Sequence, residues 1–354
     1  MIMSGNSLLS KIRPDLVNKF CNREYLFGRN AIYAALNSCK RCGHRRIWMP
    51  AYSCGDEIAI AIDLGLDLKL YKIKNPVIPQ LDIDINQVQD GDIVFLVHFF
   101  GCVDDSPETT NKVMALKLKN CIIIEDAAYA LFSKGVGLFG DFIVFSLRKS
   151  LPLPHGAILC YKNNFKIDKT IAPTKEVVDC EINNFNRYQN GLEKIGTGYH
   201  IGIDSNNIYG ARYKDFGGYK LGCSDYVIKK LDEINLDEYK KFLLDKFKIT
   251  VKSLSKKIPK NNLSIAYNMA NKSVYSQFLP IIVENSSKIY QSLQKEKINF
   301  ALPFWDKKHS FVDWNVYKES SLIKKNIIAL HLAYPINNND LDRLGVIILQ
   351  KENI

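Results

Sequence analysis

Short apolar runs alternate with amphipathic stretches along the first half of the chain, which is the pattern of an α/β fold with a mainly parallel sheet. The predicted helices are 31–38, 56–64 and 106–118, and the predicted strands are 45–49, 68–73, 92–99, 121–124, 142–146 and 157–161. Most of these strands are apolar throughout, which is typical of strands covered on both faces.

The second half of the chain has a less regular pattern. Residues 162–222 are rich in Asn, Tyr and Gly, which predicts long loops. From about residue 224 the sequence becomes helical and rich in lysine, and strand candidates follow at 277–283 and 326–332. We therefore predict a large domain over residues 1–234 and a smaller α+β domain over residues 235–354.

The composition, with 47% hydrophobic and 24% charged residues, is that of a globular protein and excludes a disordered or fibrous chain. The most apolar run, residues 93–103, is far shorter than the roughly 20 residues that span a bilayer. The first residues lack a basic segment followed by an apolar one, so no secretory signal is evident. These features predict a cytoplasmic protein that does not act at a membrane.

The net charge is +11, and lysine supplies 38 of the 48 cations. The lysines are scattered rather than clustered with arginine and aromatic residues, which argues against a nucleic-acid partner. Attraction of a small anionic substrate is the favoured use of this charge.

Nine cysteines are expected to be reduced thiols, because no secretory signal accompanies them. Cys39 and Cys42 have metal-ligand spacing, and His44 follows closely. A structural zinc site needs four ligands, and no second pair exists, so we predict no metal.

Chemistry-bearing residues follow two of the predicted strands. Ser146 and Lys149 come at and just after the end of one strand, and Asp126 follows the apolar residues of another. Ligands of open α/β sheets bind at the carboxyl ends of the strands. The 23 residues between Asp126 and Lys149 leave room for one loop and one returning strand, so both side chains are expected to face one crevice.

Pyridoxal phosphate requires groups of this kind. A lysine amine forms a Schiff base with its aldehyde, and a carboxylate keeps its pyridine nitrogen protonated. Hydroxyls and the amides at a helix N-terminus hold its phosphate, here Ser146 and the helix start at Gly28 and Arg29. Each feature alone has an ordinary alternative: a solvated lysine, a strand-end cap or a turn glycine.

In these segments the sequence resembles the DegT/DnrJ/StrS family of pyridoxal-phosphate-dependent nucleotide-sugar aminotransferases, over about residues 25–231. Five blocks in one order carry the resemblance: residues 28–31, 49–54, 97–101, 124–128 and 140–149. It implies a fold-type-I enzyme, usually a homodimer, that moves an amino group from glutamate to a keto group on a nucleotide-linked sugar. Surface polysaccharide or a related glycan is the expected product pathway.

The resemblance also implies roles for individual residues. Lys149 matches the Schiff-base lysine and Asp126 the partner of the pyridine nitrogen. The matches to cofactor ligands are Ser146 and the backbone at Gly28, Arg29 and Asn30 for the phosphate, and the Tyr52 segment for a ring stacked on the cofactor.

Some positions depart from the family pattern. The lysine comes three residues after the serine rather than five, as in a short-loop branch, and Tyr129 replaces the usual Gln or His near the phenolic oxygen of the cofactor. Lys220 lies where members often place an asparagine that reaches the partner's phosphate. The remaining substrate candidates are His155, Arg212 and Tyr213.

Two other functions remain open from the sequence. One is a sugar dehydratase with the same cofactor, although dehydratases of the family usually replace the lysine with histidine. The other is a non-catalytic binding protein of the same fold. His98 is interpreted as a structural histidine rather than a catalytic base.

Overall fold

The larger of two sheets contains seven strands in the part of the chain that the computed structural model describes, which is residues 7–73, 81–189, 213–272, 274, 276–306 and 308–352. The strands are β1 (Cys21–Tyr25), β2 (Arg46–Pro50), β3 (Asp67–Tyr71), β4 (Ile93–Val97), β5 (Ile122–Asp126), β6 (Phe142–Ser146) and β7 (Ala157–Tyr161). Their order is β1-β7-β6-β5-β4-β2-β3. All neighbours are parallel except β7, which is antiparallel to β6 and β1. The predicted mainly parallel, mixed sheet is confirmed.

Helices cover both faces of this sheet. The helices of the described residues are α1 (Leu8–Ile12), α2 (Gly28–Arg41), α3 (Asp56–Asp63), α4 (Pro107–Leu118), α5 (Lys175–Gln189), α6 (Asp225–Asp232), α7 (Leu236–Leu254), α8 (Ser264–Asn271), α9 (Ser286–Lys295), α10 (Lys318–Lys325) and α11 (Asn338–Glu352). Along β6, Phe142 and Val144 join the core that contains α2, whereas Ile143 and Phe145 join the core that contains α1 and α6. Burial on both faces explains why the first four residues of this strand are all apolar.

The smaller sheet has three antiparallel strands in the order β8-β10-β9. They are β8 (Phe278–Ile282), β9 (Ala301–Pro303) and β10 (Ile327–His331). The sequence predicts β8 and β10 but not the three-residue β9. The domain boundary near residue 235 stays a prediction.

Two elements of the larger sheet region differ from the sequence prediction. The loop expected over residues 162–222 contains α5, whose Val177 is buried against Leu26, Phe27 and Leu221. The asparagines of this helix made it resemble a loop, since Asn favours turns. The edge strand β1 was not predicted, because four of its five residues are only partly buried.

No helix of the described residues is long and apolar enough to cross a bilayer. All nine cysteines are free thiols. Within the same described ranges, no three His, Cys, Asp or Glu side chains come together as a potential metal site.

The polypeptide makes a close backbone contact just beyond β4, at Gly101. This glycine has a φ of +84°, and a Cβ there would lie 2.6 Å from the backbone oxygen of Tyr129. Gly101 therefore allows the loop after β4 to pack directly on the loop after β5.

We predict that Gly101→Ala lowers the free energy of unfolding by about 3 kcal/mol, because a methyl group must displace backbone as well as adopt a strained φ. Gly43→Ala is the matched control, since Gly43 has a φ of +99° but nothing within 4 Å of a Cβ. The control is expected to cost about 1 kcal/mol in urea denaturation. Equal losses in the two variants would contradict the close-contact interpretation.

Candidate active site

Lys149 lies directly beyond the carboxyl end of β6. The strand ends at Ser146, and a single turn of 3-10 helix, Leu147–Lys149, follows it. The Lys149 Nζ lies 4.2 Å from the centroid of the Tyr129 ring. The lysine is partly buried, and its amine lies against the Tyr129 ring.

Asp126 ends the neighbouring strand β5 and pairs in register with Val144 of β6. Its Oδ1 accepts a hydrogen bond from the Ala128 N–H at 2.9 Å. Burial raises the pKa of Asp126, and the nearby Lys149 ammonium opposes that rise. The two charged groups are neighbours, yet no direct ion pair joins them among the described residues.

The surroundings of Lys149 also favour its charge. Burial opposes the ammonium, but Tyr129, Cys54 and Asp126 outweigh it and raise the pKa of Lys149. Of these groups, Asp126 is the carboxyl, and its ionised form attracts the Lys149 ammonium. The structure thus brings together the lysine and the carboxylate that the sequence analysis assigned to one crevice.

The N-terminus of α2 opens next to Ser146. A Cβ on Gly28 would lie 3.6 Å from the Ser146 Cβ, so the serine side chain packs against the start of the helix. Phe27 at the N-cap provides no side-chain cap. The first N–H groups of a helix have no intrahelical acceptor and attract anions. Ser146 and the α2 N-terminus therefore form a candidate phosphate cradle.

The side chains of Arg29 and Asn30 are engaged elsewhere. Arg29 forms an ion pair with Asp56 at 2.8 Å. The Asn30 Nδ2 donates to the Gly218 carbonyl oxygen at 2.9 Å, and its Oδ1 is buried without a partner in the described chain. An amide oxygen is an acceptor and does not suit a phosphate, and the Asn30 N–H already donates to the Phe27 carbonyl oxygen at 3.0 Å. Of these two residues, Arg29 is therefore the one that can serve a phosphate through its backbone N–H.

Tyr52 is only 1% exposed and lies inside an aromatic cluster, with ring centroids 5.4 Å from Phe99 and 5.3 Å from Trp305. Its hydroxyl is buried with no hydrogen-bond partner among the described residues. Cys54, two residues later, is the member of this segment close enough to Lys149 for the charges to interact. The ring-stacking role assigned to the Tyr52 segment stays a prediction.

The sequence analysis did not identify the Cys54–Glu57 pair. The Cys54 Sγ donates to Glu57 Oε2 at 2.8 Å, and the Cys54 N–H donates to Glu57 Oε1 at 3.2 Å. Burial raises the pKa of Glu57, and the Asp126 charge adds to that rise. The N-cap of α3 is Gly55 rather than Cys54, so this pair is not a capping box and no sequence motif marks it.

Glu125 and His98 form a buried pair below the site. The His98 Nε2 lies 2.9 Å from Glu125 Oε2, and the glutamate also accepts from the N–H groups of Gly137, Phe139 and Gly140. Burial would raise the pKa of Glu125, but these hydrogen bonds outweigh it and lower the pKa. This arrangement supports the structural interpretation of His98.

The contacts described for the remaining sequence candidates are with residues other than Lys149, and Arg212 lies outside the described residues. His155 is fully buried, and its Nε2 lies 2.6 Å from Ser224 Oγ. Burial lowers the pKa of His155 to about 4, so the imidazole is neutral and its geometry favours a structural role.

Tyr213 donates to Glu181 of α5, and Lys220 is exposed on the turn that Asn30 contacts. Arg212 lies outside the described residues. The structure therefore assigns no substrate contact to these three positions.

The donor set fits pyridoxal phosphate. Lys149 can supply the amine, Asp126 the carboxylate, and Ser146 with the α2 N-terminus the phosphate donors. Two hydroxyls beside the site, Ser53 Oγ and Ser150 Oγ, are also buried without a partner in the described chain. Such unpaired groups are uncommon away from sites that hold a ligand or water.

Solved sugar aminotransferases share this fold. Spr1654 from Streptococcus pneumoniae, described as a sugar aminotransferase in its PMP form, has a TM-score of 0.64 at 16% identity, covering 99% of this chain and 91% of that chain. Helicobacter pylori PseC, an aminotransferase of pseudoaminic acid biosynthesis, has a TM-score of 0.63 at 13% identity, covering 99% and 92%. Bacillus subtilis NtdA with bound PMP has a TM-score of 0.62 at 14% identity, covering 99% and 78%.

No family model and no curated protein matches the sequence. The structural likeness nevertheless covers nearly the whole chain. The chain has the fold-type-I architecture of these sugar aminotransferases, so the fold implied by the resemblance to the DegT/DnrJ/StrS family is confirmed.

We predict that Glu125→Gln lowers the free energy of unfolding at pH 7 by about 3 kcal/mol, because it disrupts a buried, fully hydrogen-bonded carboxylate. A carboxyl with a lowered folded pKa stabilises the protein above its usual value of 4.5 and loses that contribution as the pH falls. The difference between wild type and variant should therefore shrink in acid. Urea denaturation across pH measures this, and Glu108→Gln on the exposed face of α4 is the control. A difference independent of pH would contradict the assignment.

Proposed function

We propose that this protein is a pyridoxal-phosphate-dependent aminotransferase that transfers an amino group from glutamate to a keto sugar linked to a nucleotide. The observation that carries the proposal is the convergence of Lys149, Asp126 and the Ser146–Gly28 cradle at one sheet edge. The fold shared with aminotransferases in PLP and PMP forms supports it.

Each of these groups would have a defined role. The cofactor, when bound, supplies an aldehyde that condenses with an amine and a ring that accepts electrons. The Asp126 carboxylate would hold a proton on the pyridine nitrogen. Ser146 and the N–H groups of Gly28 and Arg29 would bind the phosphate.

Lys149 would act twice, as the amine that holds the cofactor and as the acid–base group that moves protons once the incoming amine releases it. A free lysine must lose its proton to act as a base. The centroid of the Tyr129 ring lies 4.2 Å from Nζ, so this ring covers one side of the amine.

A nucleotide-linked sugar carries phosphate groups, and the net charge of +11 suits an anionic substrate. Neighbouring structures described as sugar aminotransferases support a sugar as amino acceptor. We further propose a cytoplasmic homodimer serving glycan biosynthesis, with the domain boundary near residue 235. In that dimer Lys220 would bind the partner subunit's phosphate, and His155, Arg212 and Tyr213 would remain candidates for substrate contacts.

We predict that the purified protein mixed with pyridoxal phosphate shows the visible absorbance of a lysine-bound cofactor, and that glutamate bleaches it. Lys149→Ala should abolish the band because its amine forms the covalent bond. Lys169→Ala, which changes an exposed lysine, is the control and should keep the band.

Three outcomes would count against the proposal. If the wild type forms no band, the cofactor assignment fails. If Lys149→Ala keeps the band, the lysine assignment fails. If glutamate leaves the band intact while a nucleotide keto sugar is consumed, the dehydratase alternative replaces transfer.

We also predict that Ser146→Ala weakens cofactor binding by about 10- to 100-fold, the value of one hydrogen bond to a charged group. Equilibrium dialysis of pyridoxal phosphate measures the change, with Ser287→Ala on the exposed start of α9 as the control. Pyridoxal without phosphate should bind both variants equally. Unchanged affinity for pyridoxal phosphate in Ser146→Ala would contradict the cradle.

A further inference from the structure

Lys324 of α10 is a fully buried cation outside the set of groups described above. Its Nζ donates to the Ser53 carbonyl oxygen at 2.6 Å and to the Trp305 carbonyl oxygen at 2.7 Å. Among the described residues it forms no ion pair with a carboxylate. Two backbone segments that are distant in sequence therefore meet at one side chain.

Two aromatic rings complete the environment of this ammonium. Nζ lies 5.6 Å from the centroid of Tyr52 and 5.5 Å from that of Trp314. Ring faces attract a cation, most strongly where water is excluded. Removing the charge or the donors would leave two carbonyl groups and two ring faces without their common partner.

Both segments held by Lys324 lie beside Lys149. Ser53 precedes Cys54, whose thiol lies close enough to the Lys149 ammonium for that charge to oppose the rise that burial causes in the pKa of Cys54. The Trp305 ring lies 6.1 Å from the Tyr129 ring, and Tyr129 in turn lies under the Lys149 amine. The two carbonyl groups therefore belong to two segments beside Lys149, which we term the walls of the Lys149 pocket.

Trp305 also needs an external restraint. Its φ is +53°, a left-handed conformation that is unfavourable for a bulky residue. Such a conformation persists only where surrounding contacts determine it. The hydrogen bond from Lys324 to its carbonyl oxygen is one such contact.

We propose that Lys324 is a positioning residue that holds the Ser53–Cys54 segment and Trp305 as walls of the Lys149 pocket, and that loss of its proton loosens both walls. The contacts of Lys324 are observed in the structure, whereas their consequence for catalysis rests on the proposed aminotransferase function. Lys324 itself is not a catalytic residue in this proposal, because it acts through the two segments whose carbonyl groups accept its hydrogen bonds.

Because Lys324 can lose its proton, its hold on the two segments should depend on pH. Burial lowers the pKa of Lys324 to about 8, and the opposing influences come from Cys54, Glu57 and Asp306. Lys308 is a second cation beside Trp314, and its Nζ lies 5.7 Å from the centroid of that ring. Lys324 should therefore carry its charge at neutral pH and lose it in mildly alkaline solution.

The direct test is ¹⁹F NMR of the cofactor-free protein labelled with fluorotryptophan. The chain has three tryptophans, so three signals are expected. Those of Trp305 and Trp314 should shift together with a midpoint near pH 8. Trp48, whose N–H donates to Asp92, is an internal control and should not titrate there.

Two variants assign the titration. Lys324→Met should abolish it, and Lys325→Met, an exposed lysine next along the same helix, should keep it. If the wild-type Trp305 signal does not titrate near pH 8, the proposal is overturned, whether or not Lys324→Met folds. A titration that persists in Lys324→Met would equally overturn it.

The functional consequence is tested on the cofactor-loaded enzyme. Lys324→Met should lower kcat by about tenfold or more through misplacement of the pocket walls, and Lys324→Arg should restore part of the loss because it keeps the charge and donors. An unchanged kcat in Lys324→Met would contradict the positioning role. If no variant binds pyridoxal phosphate, the aminotransferase proposal fails while the NMR result still decides whether Lys324 restrains Trp305.

Discussion

The parallel pairing of β5 with β6 is the constraint on which the rest of the site depends. Asp126 pairs with Val144, so its carboxylate and the turn carrying Lys149 lie at the same edge of the sheet. A carboxylate and an ammonium there would each be costly to bury alone, and each favours the charge of the other. The α2 N-terminus and Ser146 add donors for an anion, so one edge combines an amine, a carboxylate and an anion cradle.

The surrounding structure supports this edge from two directions. The Glu125 carboxylate accepts hydrogen bonds from three backbone N–H groups and also contacts His98. These contacts fix the loop that connects β5 to β6. Lys324 donates hydrogen bonds to the carbonyl oxygens of Ser53 and Trp305 and so connects these two segments. Glu125 and Lys324 are both buried ionisable side chains that bind backbone atoms, so they determine the shape of the pocket rather than its chemistry.

The sequence was sufficient for the sheet and for the central residues because those signals are local. The first four residues of β6 are apolar, Asp126 ends β5, and Lys149 comes three residues after the end of β6. Lys324 was not predictable, because its contacts join residues 271 positions apart and its helix reads as an ordinary lysine-rich surface segment. The same reason applies to Trp305, whose place beside Tyr129 depends on how the smaller sheet packs against the larger one.

The most direct measurement of the central claim is reductive trapping. The protein is incubated with pyridoxal phosphate, reduced with borohydride to make the lysine linkage permanent, and mapped by peptide mass spectrometry. We predict that the added mass lies on Lys149 among the 38 lysines of the chain, and that Asp126→Asn leaves the attachment site unchanged. Attachment spread over exposed lysines, or concentrated on another lysine, would contradict it.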